Sequence, residues 1–260
     1  MTLPTPGATA HDPRPLHARI AADLRDAIMN SDLAPGSNVP STARLKERFD
    51  ASNATIQKAV QILKTEGLVV GRAGAAVTVR ANRQQTVRPA SSLAPAPAGA
   101  AYPWLAEIAG RPGTEARSDL IGVAETEVHG DLATALGQEN GTLAVLRQQL
   151  ITMGDEPAEL VSSYYPPAIA RGTALAEPRK IRGGTPTLLA GLGFPPRTSV
   201  DRVSARVPTR AEHAALRLPG DLPVLRTLRT VYSDGHRPVE VTVMVKAGHL
   251  YELQYEFTPE

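Results

Sequence analysis

The chain has 260 residues, of which 42% are hydrophobic and 21% charged, with a net charge of +2 and no cysteine. At roughly 100–200 residues per domain, this length predicts two domains. No stretch approaches the roughly 20 apolar residues of a membrane span, and the lack of cysteine excludes disulfide frameworks, thiolate metal sites and cysteine nucleophiles. Because no basic stretch followed by an apolar run opens the sequence, we expect no secretory signal, no membrane partner and a cytoplasmic location.

The charge is unevenly divided along the chain. Residues 1–90 carry 12 Lys and Arg against 7 Asp and Glu, a net charge of +5, whereas residues 91–260 carry 16 against 19, a net charge of −3. A small basic module joined to a larger, mildly acidic one predicts a polyanionic partner for the first module only.

Two amphipathic helices are predicted in the basic module. The first follows Asp12, a suitable N-cap, and ends before the turn sequence at 33–36. Ser41 can cap a second, short helix, which Asp50 ends. The buried stripe of the first helix has helical spacing and consists of Leu16, Ile20, Leu24 and Ile28.

A third helix, from Asn53 to about Glu66, carries polar chemistry on one face. Ser52 can cap it, and Gly67 suits the left-handed position at its end. Its outward residues are amides and ammoniums without a carboxylate, a composition that suits base edges in the major groove, although an ordinary solvated helix face has the same pattern. These outward residues are Asn53, Ala54, Gln57, Lys58, Gln61 and Lys64.

A small β-hairpin is predicted after the third helix. Residues 68–70 and 75–80 are strand-like, and a glycine-flanked turn between them carries Arg72 at its tip. Together with the three helices, this hairpin predicts a winged helix-turn-helix whose tip can reach the minor groove or phosphates.

The residues from Ile20 to Val79 resemble the DNA-binding domain of GntR-type bacterial transcription regulators. The resemblance rests on Leu33-Ala34-Pro35-Gly36, Val39-Pro40-Ser41, Ala59, Leu63, Glu66-Gly67-Leu68 and Gly74. It implies that the start of the third helix reads bases while the wing enters the minor groove. The implied DNA-binding residues are Ser41, Arg44, Ser52, Asn53, Thr55, Gln57, Lys58, Gln61, Arg72 and Gly74.

Two departures from the family pattern bear on the operator. The family has basic residues where this chain has Asn53 and Gln57. Since an amide prefers adenine whereas an Arg fork prefers guanine, we expect a different operator sequence, with a change of roughly 1–3 kcal/mol per position.

The sequence predicts four segments. Residues 1–12 form a disordered N-terminus and residues 13–81 the winged helix-turn-helix. Residues 82–101 are rich in Pro, Ala, Ser and Gln and predict a flexible linker. Residues 102–260 form an effector-binding and dimerisation domain.

This second domain is predicted to be α+β, with a largely antiparallel sheet. Hairpin turns such as 154–157 and 234–237 join its strands. Strands are predicted at about 117–127, 142–153, 158–165, 198–207, 223–233, 238–246 and 250–257. Helices are predicted around 103–109, 129–137, 167–175, 186–192 and 209–217.

The order of these elements resembles the UTRA effector domain of the HutC branch of GntR regulators, a fold similar to chorismate lyase. Relatives that bind phosphosugars use an Arg pair at positions that correspond to Gln149 and Ile151 here. The resemblance therefore implies a small-molecule effector other than a phosphosugar, since each lost charge-assisted bond is worth roughly 1.5–3 kcal/mol. The implied effector-binding residues are Arg147, Gln149, Ser163, Tyr165, Glu240 and Lys246.

Other roles remain open for several of these residues. Arg147 can instead pair with Glu159, and the face of Glu240, Thr242 and Lys246 can be a solvated sheet face. The aromatic residues Tyr251, Tyr255 and Phe257 suit a core or a dimer surface better than a pocket.

The sequence predicts a regulator more strongly than an enzyme. Its six His residues are scattered, and no phosphate-loop, metal-ligand or nucleophile-elbow pattern is present, so we expect no catalytic residue, metal or cofactor. We expect a homodimeric repressor whose affinity for a pseudo-palindromic operator depends on a small molecule. The alternatives are a plasmid-maintenance or architectural DNA-binding protein with a purely dimerising second domain, and a metabolic enzyme with an incidental basic arm.

Overall fold

The computed structural model describes residues 12–71, 75–81, 84–90, 115–220 and 222–257. The chain divides into two compact units, residues 1–83 and residues 84–260. The predicted disordered start (all but Asp12) and the predicted helix at 103–109 lie outside the described residues. Within the described ranges, no helix combines the length and apolar character needed to cross a membrane.

The first unit contains three helices and a short hairpin. Its elements are α1 (Leu16–Met29), α2 (Thr42–Phe49), α3 (Asn53–Thr65), β1 (Val69–Val70) and β2 (Thr78–Val79). The two strands pair antiparallel, as the sequence predicts. The apolar stripes of the three helices meet in one core, which includes Ile20, Leu24, Ile28, Leu45, Ile56, Ala59 and Leu63.

Two of the three predicted helix caps are present in this unit. The Ser41 side chain accepts a hydrogen bond from the backbone N–H of Arg44, and Ser52 accepts one from that of Thr55. The predicted cap by Asp12 is wrong: α1 begins after Pro15 without a side-chain cap. The Asp12 carboxylate is instead bound by the nearby guanidinium of Arg14 at 2.7 Å.

The second unit is built on a six-stranded sheet in which every neighbouring pair is antiparallel, in agreement with the predicted α+β class. In spatial order its strands are β4 (Ala116–Val128), β5 (Thr142–Met153), β6 (Glu156–Tyr165), β9 (Arg237–Ala247), β8 (Val224–Ser233) and β7 (Thr198–Arg206). Strands β4 and β7 are therefore its two edges.

Short helices connect these strands near the predicted positions. They are α4 (Asp131–Ala135), α5 (Pro167–Ala170), α6 (Gly184–Gly191) and α7 (Arg210–Ala215), with 3₁₀ turns at Ala174–Ala176 and Asp234–His236. One face of the sheet packs in apolar cores that include Val128, Ala144, Leu228 and Val241.

A separate pair of strands corrects the predicted linker. Gln85–Val87 forms β3, which pairs in parallel with β10 (Tyr251–Leu253). The Gln85 N–H donates to the Leu250 carbonyl at 2.7 Å, and Val87 is buried in the core of the second unit. The linker prediction is therefore wrong for 84–90, because three residues are too few to show strand periodicity. Residues 82–83 and 91–101 of the predicted linker lie outside the described part of the chain.

We call residues 84–90 and 250–254 together the strap. Its second half is shorter than the predicted strand at 250–257, since no strand is assigned after Leu253. Among the aromatic residues, Tyr251 is buried in the core, as expected, whereas Tyr255 and Phe257 are exposed.

Helix α7 begins with a capping box that an arginine reinforces. The Thr209 hydroxyl accepts from the Glu212 N–H, and the Glu212 carboxylate accepts from the Thr209 N–H. Both carboxylate oxygens also bind the Arg206 guanidinium at 2.7 Å. These hydrogen bonds, with Arg206 the largest contributor, lower the pKa of Glu212 from 4.5 to about 2.

Replacing this carboxylate should destabilise the second unit at neutral pH. We expect Glu212→Ala to lower the free energy of unfolding by about 1–2 kcal/mol at pH 7. Because the folded-state pKa is depressed, this contribution is present above pH 4.5 and is lost as the pH falls towards 2. Urea unfolding at pH 7 and pH 3 measures it. Glu139→Ala, which removes an exposed carboxylate of the same unit, is the control; an equal loss in both variants would contradict the assignment.

Candidate DNA-binding surface and ligand cavity

Helix α3 is held by its apolar side and presents its polar side outward. Ile56, Ala59 and Leu63 are fully buried. At its C-terminal end, the Glu66 carboxylate forms an ion pair with Arg25 of α1. These contacts fix the rotation of α3 about its axis and therefore decide which side chains face outward.

The predicted DNA-binding residues of α2 and α3 lie at the surface of the first unit. Ser52 and Thr55 are joined through their hydroxyl oxygens at 2.8 Å, and Thr55 is half-buried. The exposed residues are Ser41, Arg44, Ser52, Asn53, Gln57, Lys58 and Gln61. Arg72 and Gly74, at the predicted wing tip, lie outside the described residues. Contact of these residues with DNA stays a prediction.

This surface is polar and cationic. Helix α3 contains Lys58 and Lys64 and no acidic residue, and α2 adds Arg44, Lys46 and Arg48. Side-chain amides and ammonium groups that project from a capped helix can bind base edges and phosphates, while cations supply salt-dependent affinity.

The second unit encloses a cavity of about 460 Å³ on the other face of its sheet. Side chains from β5, β6, β8 and β9 form its floor. The start of α6 at Gly184 and Thr185 forms one wall, and the strap contributes Val87, Pro89 and Leu253 to another. The cavity is therefore framed by the sheet, by a helix start and by the segment that follows the first unit.

Five of the six predicted effector residues line this cavity: Arg147, Gln149, Ser163, Glu240 and Lys246. They come from three adjacent strands, and strand periodicity places them on one face. The sixth, Tyr165, is completely buried and does not contribute to the cavity wall. The reading of Glu240, Thr242 and Lys246 as a solvated face is wrong, since each is at most 9% exposed.

Arg147 lines the cavity and also holds a neighbouring loop. Its guanidinium donates to the backbone carbonyls of Ala174, Leu175, Glu177 and Arg179 at 2.7–3.2 Å. Both terminal nitrogens are engaged, so the side chain fixes the loop that leads into α6. The buried Nε has no hydrogen-bond partner among the described residues. Arg147 therefore shapes the cavity with its two terminal nitrogens and keeps one donor, Nε, unused.

A buried ion pair closes one end of the cavity floor. Lys246 lies 2.9 Å from the Glu159 carboxylate, and the Tyr251 hydroxyl donates to the same carboxylate at 2.9 Å. The alternative pairing of Glu159 with Arg147 does not form. Burial, and then the Glu159 charge, raise the pKa of Tyr251 well above its ordinary value, so the phenol stays protonated and remains a donor.

A second buried ion pair was not predicted from the sequence. The Arg229 guanidinium binds both oxygens of Asp201 at 2.7 Å and also donates to the Pro89 carbonyl of the strap at 3.1 Å. The available signal was the alternation of Thr227, Arg229 and Val231 on β8, a charged residue within an otherwise strand-like stretch. Without strand pairing, nothing in the sequence relates Arg229 to Asp201 or to Pro89.

Glu240 is the carboxylate of the described cavity floor that has no ion pair. It accepts hydrogen bonds from the hydroxyls of Thr242 at 2.6 Å and Ser163 at 3.4 Å. Burial raises the pKa of Glu240 above its ordinary value, against the opposing effect of these hydroxyls. The group can therefore either donate a hydrogen bond as an acid or meet a cationic or hydroxyl group as a carboxylate.

Two more hydroxyls near the floor lack partners of good geometry among the described residues. The Thr227 hydroxyl belongs to a residue that lines the cavity, and the Tyr165 hydroxyl lies near Ser163 and Thr185. Unsatisfied buried polar groups cost roughly 1–3 kcal/mol each. Their concentration around one cavity is typical of a site that a polar ligand completes.

The two units match two known families. Residues 16–79 match the gntR family of bacterial regulatory proteins, and residues 111–252 match the UTRA domain. The first match spans α1 to β2, and the second contains the whole six-stranded sheet.

Similar proteins and structures extend over almost the whole chain. An uncharacterized HTH-type transcriptional regulator of Streptomyces coelicolor is 29% identical over 94% of this chain and 93% of its own. A solved structure of a GntR-family transcriptional regulator has a TM-score of 0.62 at 24% identity and covers 95% of this chain and 99% of its own. PhnF from Mycobacterium smegmatis has a TM-score of 0.55 at 18% identity, covering 93% and 100%.

The role of Arg147 can be tested by a charge-conserving substitution. We expect Arg147→Lys to lower the free energy of unfolding by at least about 2 kcal/mol, because one ammonium cannot serve four carbonyls and leaves buried acceptors unsatisfied. Urea unfolding measures the loss. Arg117→Lys, at an exposed arginine that also lines the cavity, is the control. If the two variants are equally stable, Arg147 does not hold the loop.

Proposed function

The chain belongs to the GntR family of bacterial regulatory proteins and carries the UTRA domain of the HutC branch, and from this membership we propose how it works. It is a ligand-responsive, DNA-binding transcriptional regulator. In our proposal it is a homodimeric repressor that binds a pseudo-palindromic operator through two copies of α3. A small molecule in the cavity of the second unit changes its affinity for that operator.

The surface of α3 supports the DNA-binding part of the proposal. Asn53 and Gln57 are exposed near the start of the helix, where side chains of a recognition helix meet base edges. Because amides bind adenine in the major groove, these residues select the operator. Lys58 adds affinity that depends on salt rather than on sequence.

The charge balance of the cavity supports an effector other than a phosphosugar. Arg147 is occupied by carbonyls, Lys246 by Glu159, and Arg229 by Asp201 and Pro89. To gain a charged partner on the sheet floor, a phosphate would have to compete with one of these interactions. The other lining cations, Arg117 and Lys180, are exposed to solvent, where ion pairs are weak. Glu240 and the hydroxyls around it instead suit a ligand that offers hydroxyl or amino groups.

One observation carries the coupling between effector and operator: the strap is both a wall of the cavity and the continuation of the DNA-binding unit. That unit ends at Arg83, and Gln85–Val87 follows as β3. The side chain of Val87 and the residue Pro89 line the cavity. A ligand that shifts the strap therefore acts on the segment that tethers the DNA-binding unit, which is a physical link between the two sites.

The cavity also distinguishes this proposal from its alternatives. A domain used only for dimerisation, as in a plasmid-maintenance or architectural protein, has no need for a cavity of about 460 Å³ whose lining includes buried polar side chains. A metabolic enzyme would leave the polar, cationic surface of α3 without a role. A ligand-responsive regulator uses both features.

The recognition surface can be tested with two neighbouring residues of α3. We expect Gln57→Ala to reduce the preference for operator over random DNA by roughly 1–3 kcal/mol while the salt dependence of binding stays unchanged. Lys58→Ala should weaken both kinds of DNA similarly and lower the salt slope by about one. Fluorescence anisotropy over a series of salt concentrations, on the operator recovered by genomic pull-down, measures both. If instead Lys58→Ala lowers the operator preference and Gln57→Ala lowers the salt slope, α3 presents a different face to DNA.

The coupling through the strap can be tested with two valines of the cavity wall. Val87 lies on the strap and Val161 on the sheet, and both line the cavity. An effector is first identified by thermal stabilisation of the full chain with a metabolite library. We then expect both Val87→Ala and Val161→Ala to weaken effector binding, whereas only Val87→Ala reduces the factor by which the effector changes the operator Kd.

The coupling factor provides its own internal check. Operator DNA must change the effector Kd by the same factor as the effector changes the operator Kd, so titrations in both orders should agree for each variant. Equal coupling in the two variants would mean that the signal does not pass through the strap.

A further inference from the structure

Strand β7 is an open edge of the six-stranded sheet. Among the described residues only β8 pairs with it, in a continuous register from Thr198 to Arg206. Val200 and Val203 are 50% and 45% exposed, one on each face of the strand. An edge that is long, regular and partly apolar offers its free backbone groups to another strand.

The opposite edge, β4, carries a feature that protects an edge from pairing. Its register with β5 is interrupted between Leu120 and Gly122. Bulges are one of the usual ways in which proteins block edge-to-edge association. Charge does not separate the two edges, since four of thirteen residues are charged on β4 and three of nine on β7. Strand β7 has no bulge. Its backbone therefore remains regular enough to pair with another strand, and its exposed valines lie at that edge.

Further apolar surface lies around β7. Val207, directly after the strand, is 68% exposed, and Phe257 is 85% exposed. The ring of Phe257 stacks on that of Tyr255 at 6.3 Å between centroids. Burial, and then the Asp201 charge of β7, raise the pKa of the Tyr255 phenol. Tyr255 is therefore within electrostatic reach of the open edge.

We propose that β7 is the interface through which two copies of the second unit associate, pairing antiparallel about a two-fold axis at Val203. This inference rests on the homodimer of the proposed function and names its surface. A two-fold axis perpendicular to the sheet pairs the same strand from both copies and joins the two sheets into one of twelve strands.

The charge pattern of β7 selects this register. A two-fold axis at Arg202 places the Arg202 side chains of the two copies opposite each other, and an axis at Asp201 does so for the two Asp201 carboxylates. An axis at Ser204 places Arg202 of one copy opposite Arg206 of the other. Like charges in directly opposed positions destabilise strand pairs. With the axis at Val203, seven residues from Val200 to Arg206 pair, and no like charges face each other. This is the longest register on β7 that meets the condition.

The interface would lie one strand away from the floor of the cavity. Asp201, which belongs to β7, holds Arg229 of the floor, and Val203 pairs in register with Thr227, which also lines the cavity. The association of two copies and the occupation of the cavity therefore involve the same strand.

The test compares Val203→Lys with Ile121→Lys in the full chain. Both replace exposed residues on edge strands, β7 and β4 respectively, so both should fold, which thermal unfolding verifies. Sedimentation equilibrium gives the dimer dissociation constant. We expect Val203→Lys, which sets two ammoniums opposite each other, to raise it at least about tenfold, while Ile121→Lys leaves it unchanged. In the unsubstituted chain, amide exchange at 198–206 should slow with increasing protein concentration.

Two results would overturn the interface. One is that Val203→Lys has the same dimer dissociation constant as the unsubstituted chain. The other is amide exchange at β7 that is independent of concentration. Binding to a single operator half-site distinguishes failure of the interface from failure of the proposed function. Half-site binding depends on α3 and does not require two copies to associate. If half-site binding persists while the interface fails, the regulator stands with a different dimer surface; if sequence-specific binding is absent from every variant, the regulator itself fails.

Discussion

The second unit depends on the neutralisation of charges that its sheet buries on the cavity side. Lys246 with Glu159, and Arg229 with Asp201, place four ionised groups in a region from which most water is excluded. Each buried ion would cost several kcal/mol if it were alone. Because the partners come from neighbouring strands, the pairs form only when the strand register is correct. The same interactions that permit a polar floor therefore also fix the sheet, and they leave Glu240 as the acidic group available to a ligand.

The strap joins this floor to the chain that continues from the DNA-binding unit. Arg229 links Asp201 of the edge strand to Pro89 of the strap, so one side chain touches the proposed dimer strand, the cavity and the segment that follows the DNA-binding unit. A ligand that displaces Pro89 would change the surroundings of Arg229 at once. In the proposed function, this arrangement gives the effector a short physical path to two properties that would govern operator binding, namely the position and the pairing of the DNA-binding units.

The elements of the fold could be predicted from the sequence because their periodicity is strong. The apolar stripe of α3 predicted the helix, and the alternation of β9 predicted the strand. Five of the six effector residues predicted from the resemblance to UTRA domains line one cavity. Three features could not be predicted. The strap is too short to show a pattern, the Arg229 pair depends on strand order, and Arg147 meets backbone carbonyls, which have no sequence signature. Each of these depends on which distant segments meet, and one sequence contains that information only implicitly.

The parallel pairing within the strap has a consequence for biosynthesis. The side chains that it joins, Arg88 with Gln254 for example, are separated by 166 residues, so closing this contact demands the ordering of a very long loop. The helical unit before it contains mostly local contacts and can fold while the ribosome is still synthesising the sheet, since domains usually fold in chain order. The nascent protein can therefore complete its helical unit well before the cavity of the second unit is closed, and the proposed response to a ligand arises only when the last strand has been made.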